Sequence, residues 1–194
     1  MSGTTPTERR YGPRFDAALA FSSAAHRGQV RKGSGAPYIT HPLAVTALVG
    51  QFGGDEDQAI AALLHDVVED CGVAGAELER RFGERVARIV LACTDAFERP
   101  KPPWRERKES HVARMRIAPG EVKLVATADK LHNALSILHD RRRKSVGEAV
   151  WDRFTADKHQ TRWYYAAMCD ALGHQWDHEL HAELVVAVAE LHED

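Results

Sequence analysis

The sequence predicts an all-α protein, a globule of roughly eight or more helices, and three observations carry that prediction. Almost every apolar segment repeats at the i, i+3, i+4, i+7 spacing of a helix that buries one stripe. Strand-like alternation is scarce, and the Pro/Gly-rich and charge-rich stretches punctuate the periodic segments instead of interrupting them. Taken along the chain, Phe15, Ala18, Leu19 and Ser22 follow Pro13, and Val45, Leu48, Val49 and Phe52 follow Pro42, a residue suited to a first helical turn. Ile60, Leu63, Leu64 and Val67 form the next stripe, with Asp55 or Asp57 as its cap and Gly72 as its stop, and Val86, Ile89, Val90 and Cys93 repeat the spacing. From Lys101 to Arg116 an amphipathic helix would turn Val112 and Met115 inward. Glu121 to Leu138 offers two adjacent stripes, one apolar (Leu124, Ala128, Leu131, Leu135, Leu138) and one polar (Asp129, His132, Asn133, Ser136), so this helix can pack and still line a pocket. A further pair is expected around Arg162 to Leu172 and Glu179 to Leu191. Breaks fall at Gly28 to Pro37, at Pro100 to Pro103 and at Arg141 to Lys144, the last read as a solvated turn.

At 194 residues and 44% hydrophobic content the chain can bury a sizeable core. We divide it into a tail, residues 1–13, and one domain, residues 14–194. A formal charge of -2 argues against a general nucleic-acid coat, which needs a strongly basic face, so the expected partner is a small molecule. Cys71, Cys93 and Cys169 are an odd number without CxxC spacing and read as thiols of a reducing compartment. The first residues lack the apolar core of a signal peptide, and no run approaches the roughly 18 apolar residues of a membrane span. A cytoplasmic protein with no membrane partner is expected, of unknown oligomeric state.

The run HDVVED at residues 65–70 carries the most chemistry. It sets His65, Asp66, Glu69 and Asp70 on one predicted helix beside a buried stripe, where four ionisable groups cost several kcal/mol in desolvation unless a cation or a water network compensates them. Together with His41 and Asp129 the His-Asp pair makes a mixed nitrogen and oxygen shell suited to Mn²⁺, Fe²⁺ or Zn²⁺ rather than Ca²⁺. Taken singly, His41 can equally satisfy backbone groups at a helix start, and Asp129 can pair with Lys130. Six Lys/Arg against two Glu between Lys101 and Arg116 leave an excess of four positive charges, congenial to a phosphate-rich ligand or simply a solvated helix face. His174, His178 and His181 share the i, i+4, i+7 spacing of a metal site, which an aqueous helix face explains as well.

Read in order, RKGSGAPYITHP (residues 31–42), HDVVED (65–70), TD (94–95) and ADKLHN (128–133) resemble the hydrolase domain of the RelA/SpoT family, in particular its small alarmone hydrolases, over roughly residues 15 to 170. The resemblance implies an HD-type all-α fold with one divalent metal, usually Mn²⁺ with Zn²⁺ or Fe²⁺ as alternatives, held by His41, His65, Asp66 and Asp129. It implies hydrolysis of the 3′-diphosphate of guanosine alarmones, giving GDP or GTP and pyrophosphate. Glu69 and Asp70 are then the residues that handle protons, and the family pattern carries nucleotide binding onto Arg31, Lys32 and Asn133. One extra residue in the SGA stretch before Pro37 departs from many members and leaves the purine preference open. Arg105, Lys108 and Tyr164 are further candidates for phosphate or base contacts. Alternatives at the same site are adenosine alarmones or the 2′-phosphate of NADPH, an HD nucleotidase acting on 5′ monophosphates, and a catalytically silent alarmone sensor.

Overall fold

The computed structural model describes residues 11–97 and 100–193, and among them every regular element is helical apart from an isolated antiparallel bridge between Val30 and Pro37. Ten α-helices run in the order α1 (Pro13–Ala25), α2 (Thr40–Gln51), α3 (Glu56–Leu64), α4 (Val67–Cys71), α5 (Gly75–Phe82), α6 (Glu84–Cys93), α7 (Trp104–Arg116), α8 (Gly120–Arg142), α9 (Lys158–Gly173) and α10 (Glu179–Leu191). A 3-10 helix (Gly147–Arg153) joins α8 to α9.

The helix boundaries follow from local chemistry. Pro13 occupies the first turn of α1, where its missing N–H is no loss. Asp55, and not Asp57, caps α3. Its side chain accepts from Gln58 N at 3.0 Å while Gln58 Oε1 accepts from Asp55 N at 3.0 Å, a reciprocal pair that satisfies two orphan donors. Asp57 instead pairs with Arg14 at 2.7 Å and Arg85 at 3.3 Å. Asp157 and Gln160 repeat the reciprocal cap on α9. Gly72 ends α4 in the left-handed region, φ 70°, which glycine enters without steric cost.

One helix was expected through His65 and Asp70, and the structure divides it into α3 and α4. His65 Nδ1 bonds to Ala62 O at 2.8 Å and occupies the acceptor that the next turn of a continuous helix would use. The break has a consequence for the site. Neighbouring side chains on a straight helix splay by about 100°, whereas the turn brings His65 Nε2 and Asp66 Oδ2 to 3.0 Å.

The core is built around α3, whose residues from Ala59 to Leu64 are wholly buried among α1, α2, α6 and α8. Burial of Ile60, Leu63 and Leu64 stabilises by about 2 kcal/mol each and anchors the helix that leads into His65 and Asp66. On α8 the apolar stripe is buried at Leu124, Ala128, Leu131 and Leu138. Leu135 departs from that expectation at 46% exposed, because the stripe there borders a cavity in place of a packed helix. Lys123 is buried and donates to the carbonyls of Arg116, Ala171 and His174, at the C-terminal ends of α7 and α9, where partial negative charge receives a cation. No helix among the described residues is long and apolar enough to cross a membrane.

His111 is a buried histidine of α7 that the sequence reading did not single out. Arg114 Nη2 donates to its Nδ1 at 3.1 Å, so that nitrogen carries no proton. Burial, then the nearby Lys130 ammonium, pushes its pKa from 6.5 down to about 3. The unfolded chain therefore binds a proton that the folded chain refuses between those values, and stability falls as the pH drops through that window by about 1.4 kcal/mol per unit. The stability difference between the wild type and His111→Asn, from urea unfolding, is expected to shrink by about 2 kcal/mol between pH 6.5 and pH 5. A pH-independent difference would contradict a neutral buried imidazole.

Candidate metal centre and active site

Four side chains from three separated stretches converge beside the α3–α4 turn. His41 is the second residue of α2, His65 and Asp66 form the turn itself, and Asp129 lies in the middle of α8. His41 Nε2 stands 3.2 Å from His65 Nε2, 3.1 Å from Asp129 Oδ1 and 3.5 Å from Asp66 Oδ2. His65 Nε2 stands 3.0 Å from Asp66 Oδ2 and 3.6 Å from Asp129 Oδ1. Ligand atoms held about 2.1 Å from one ion in a tetrahedral shell are roughly 3.4 Å apart, so the donor set fits a divalent cation in spacing as well as in chemistry. His41, His65 and Asp66 have their ligand atoms within 4.8 Å of one another and could hold a metal ion; Asp129 Oδ1 lies close to both imidazoles.

The electrostatics follow from burial opposed by charge. Burial lowers the His41 imidazole despite the Asp129 carboxylate. Burial would also lower His65, but Asp66 and Asp129 outweigh it and raise this imidazole. Burial would raise both carboxyls, yet His65 holds Asp66 below the usual carboxylate range, and Lys130 with the two imidazoles does the same for Asp129. Asp129 divides its oxygens: Oδ1 faces the two histidines while Oδ2 accepts from Lys130 Nζ at 2.7 Å. The Lys130 ion pair and the contacts with the two imidazoles belong to one side chain.

A cavity of about 1090 Å³ opens beside this cluster, lined among others by Tyr38, Glu69, Asp70, His132 and Asn133. Glu69 accepts from Lys101 Nζ at 2.6 Å and from the Asp95 backbone N–H at 3.3 Å. Asp70 sits one residue on and is more exposed; burial on the protein side, then the Asp66 carboxylate, raises its pKa. The three expected nucleotide contacts are spread along the cavity wall. Arg31 Nη2 donates to Asn133 Oδ1 at 2.8 Å, and Asn133 Nδ2 donates to Asp129 Oδ1 at 2.6 Å, so this amide ties the loop after α1 to the metal-type cluster. Lys32 is exposed at the rim, on a loop where Gly33, φ 91°, makes room for the Arg153 guanidinium that Asp140 holds.

The basic segment of α7 is largely paired within the fold. Arg107 and Lys108 donate to the buried Asp95 of the TD pair, Arg105 bonds Glu109 at 2.6 Å and lies 3.4 Å over the Trp163 ring, and Arg116 reaches Asp170 at 2.7 Å. Lys101, Arg107 and Lys108 nevertheless line the cavity, as does Tyr164, whose buried hydroxyl has no hydrogen-bond partner among the described residues. His174, His178 and His181 serve separate structural ends. The His174 carbonyl accepts from Lys123, His178 caps α10 while stacking 4.6 Å from Trp176, and His181 Nε2 bonds to the Cys169 carbonyl at 2.8 Å. Two residues outside the expected ligand set touch the cluster: Tyr38, which the sequence reading did not single out, and His132, which it placed only on the polar stripe. Tyr38 donates to Asp66 Oδ2 at 2.7 Å, and His132 Nδ1 lies 2.7 Å from His41 Nδ1. The PY pair before His41 was a signal for Tyr38; nothing local marks His132 as a neighbour of His41.

Comparison with known proteins places this geometry in a family. The HD domain family matches residues 18–159. A GTP pyrophosphokinase of Myxococcus xanthus is 32% identical over 182 residues, 88% of this chain and 23% of that protein. A probable guanosine-3′,5′-bis(diphosphate) 3′-pyrophosphohydrolase of Synechocystis is 35% identical over 142 residues, 71% of this chain and 19% of its own length. The chain thus spans about a fifth of the curated relatives it matches. A solved structure of a metazoan SpoT orthologue that hydrolyses ppGpp superimposes with a TM-score of 0.73 at 26% identity, covering 97% of this chain and 96% of that one. The all-α fold, the matched segment and these relatives together identify the chain as a member of the HD domain family, among the RelA/SpoT homologues.

Proposed function

We propose that this chain hydrolyses the 3′-diphosphate of guanosine alarmones, converting (p)ppGpp and water into GDP or GTP and pyrophosphate. The observation that carries the reading is the convergence of His41, His65, Asp66 and Asp129 beside two further carboxylates on a cavity that cations line. The names of the relatives point to the same reaction. In this reading the four residues hold one divalent ion, Mn²⁺ in the first instance and Zn²⁺ or Fe²⁺ otherwise. Such an ion, when bound, lowers the pKa of a water and polarises a phosphoryl oxygen.

The protein's own groups take the remaining roles. Glu69, held in place by the Lys101 ammonium at 2.6 Å, orients the attacking water and accepts its proton. Attack on the phosphorus bonded to the ribose 3′ oxygen breaks that P–O bond, and Asp70, whose raised pKa favours the protonated acid, delivers the proton to the departing oxygen. Arg31, Lys32 and Asn133 bind the nucleoside: Arg31 stacks its guanidinium plane on the purine once it leaves Asn133, Asn133 turns its amide to sugar or base, and Lys32 supplies a point charge at the rim.

The test is incubation of metal-loaded protein with ppGpp, pppGpp, ppApp and NADPH, with products resolved by anion exchange. Pyrophosphate together with GDP or GTP is the expected result. Release of orthophosphate alone would replace the proposed chemistry with a phosphatase, and tight binding of ppGpp without turnover would replace it with a sensor.

A further inference from the structure

His132 touches the metal-type cluster and is left without a task by the proposed reaction, and the proton count along its contact with His41 gives it two. His41 turns Nε2 to the cluster and Nδ1 to Nδ1 of His132, 2.7 Å away, with the rings 4.9 Å apart between centroids. A neutral imidazole that ligates through Nε2 carries its proton on Nδ1. His41 therefore donates across this contact, and His132 Nδ1 must be the acceptor. A neutral His132 then carries its own proton on Nε2. That nitrogen has no hydrogen-bond partner among the described residues, and the ring is part of the cavity wall.

We infer that His132 is a positioning residue that fixes the tautomer and ring angle of His41 through Nδ1, and that its Nε2–H is thereby a permanent donor toward an anionic oxygen of the ligand in the cavity. The inference rests on the reading of His41 as a metal ligand. A histidine ligand usually gives its second N–H to a carboxylate or a carbonyl, and loss of such a partner weakens metal affinity by about 10–100-fold. Here the acceptor is a second imidazole. Because an imidazole accepting at one nitrogen must donate at the other, the metal cluster and the substrate cavity share one directional hydrogen-bond chain.

Side-chain geometry separates the two tasks. Asn places a carbonyl oxygen where His132 has Nδ1 but nothing where it has Nε2; Gln places an amide near the Nε2 position and leaves His41 Nδ1–H without its acceptor; Phe removes both. The probe is Mn²⁺ affinity, measured by competition with a chelating dye, followed by kcat and KM for ppGpp at saturating metal. His132→Phe and His132→Gln are expected to lose about 10–100-fold in Mn²⁺ affinity. His132→Asn should keep the affinity within about threefold of the wild type and raise KM instead. Unchanged Mn²⁺ affinity in a folded His132→Phe protein, or equal losses in the Asn and Phe variants, would overturn the inference while leaving the metal site standing. A wild type that binds no Mn²⁺ would overturn the site and the inference together. Independently of any variant, histidine ¹⁵N–¹H correlation spectra of the Zn²⁺-loaded wild type should show His132 protonated at Nε2 only, and protonation at Nδ1 would refute the proposal.

Discussion

Asp66→Ala is expected to leave a folded, helical protein that binds no stoichiometric metal and does not turn over (p)ppGpp. Asp66 Oδ2 is 3.0 Å from His65 Nε2 and 3.5 Å from His41 Nε2, so its removal takes one of two carboxylates from the cluster and leaves His65 without its nearer negative partner. If the loss of a mere supporting group costs about 10–100-fold in affinity, loss of a ligand should cost at least ~100-fold. His65→Ala is expected to have the same outcome. That variant also frees the Ala62 carbonyl and so permits α3 to run on into α4, which makes Asp66→Ala the cleaner experiment. Metal content after dialysis, steady-state rates and far-ultraviolet circular dichroism are the three readings. The thermal midpoint gives a fourth. Mn²⁺ at about 100 times its dissociation constant should stabilise the wild type by about 2.7 kcal/mol and the variant not at all. Full activity or full metal content in Asp66→Ala would remove the basis of the proposed reaction.

The second large effect is expected at the carboxylates one turn on. Glu69→Gln and Asp70→Asn should each retain metal and lower kcat by about 10²–10⁴-fold, the usual contribution of a general acid or base. Their surroundings predict how they differ. Glu69 is pinned by Lys101 at 2.6 Å and by the Asp95 backbone at 3.3 Å, a setting for a fixed carboxylate. Asp70 is more exposed to the cavity, and burial on its protein side with Asp66 nearby favours its protonated form. A substrate whose leaving group needs no proton, such as a nitrophenyl phosphodiester, should therefore recover much of the Asp70→Asn loss and little of the Glu69→Gln loss. Equal recovery in both variants would show that the two residues do not divide acid from base in this way.

The parts of the molecule legible in the sequence are those that depend on near neighbours. Helical stripes such as Ile60, Leu63, Leu64 and Val67 are written at intervals of three and four residues, and the caps at Asp55 and Gly72 act over one turn. The motif segments marked His41, His65, Asp66 and Asp129, and the fold does bring those four side chains to one place. Even the double character of α8 could be read, since apolar and polar residues lie on adjacent stripes of one helix.

What only the tertiary structure decided lies across long separations. The α3–α4 break looked like continuous helix because its cause is a side-chain bond to a carbonyl, which periodicity does not register. The cations from Lys101 to Arg116 read equally as a phosphate-binding stripe or a solvated helix face, and only the fold shows Asp95 meeting Arg107 and Lys108 and Glu69 meeting Lys101. Tyr38 reaches Asp66 across 28 residues, His132 reaches His41 across 91 and Arg31 reaches Asn133 across 102. Sequence by itself determined which segments become helices and which residue types are available for chemistry, because propensity and capping are local energies. Which of those residues touch, and so which proton sits on which nitrogen, was decided by how the helices pack around the buried face of α3, because packing is set by the whole chain at once.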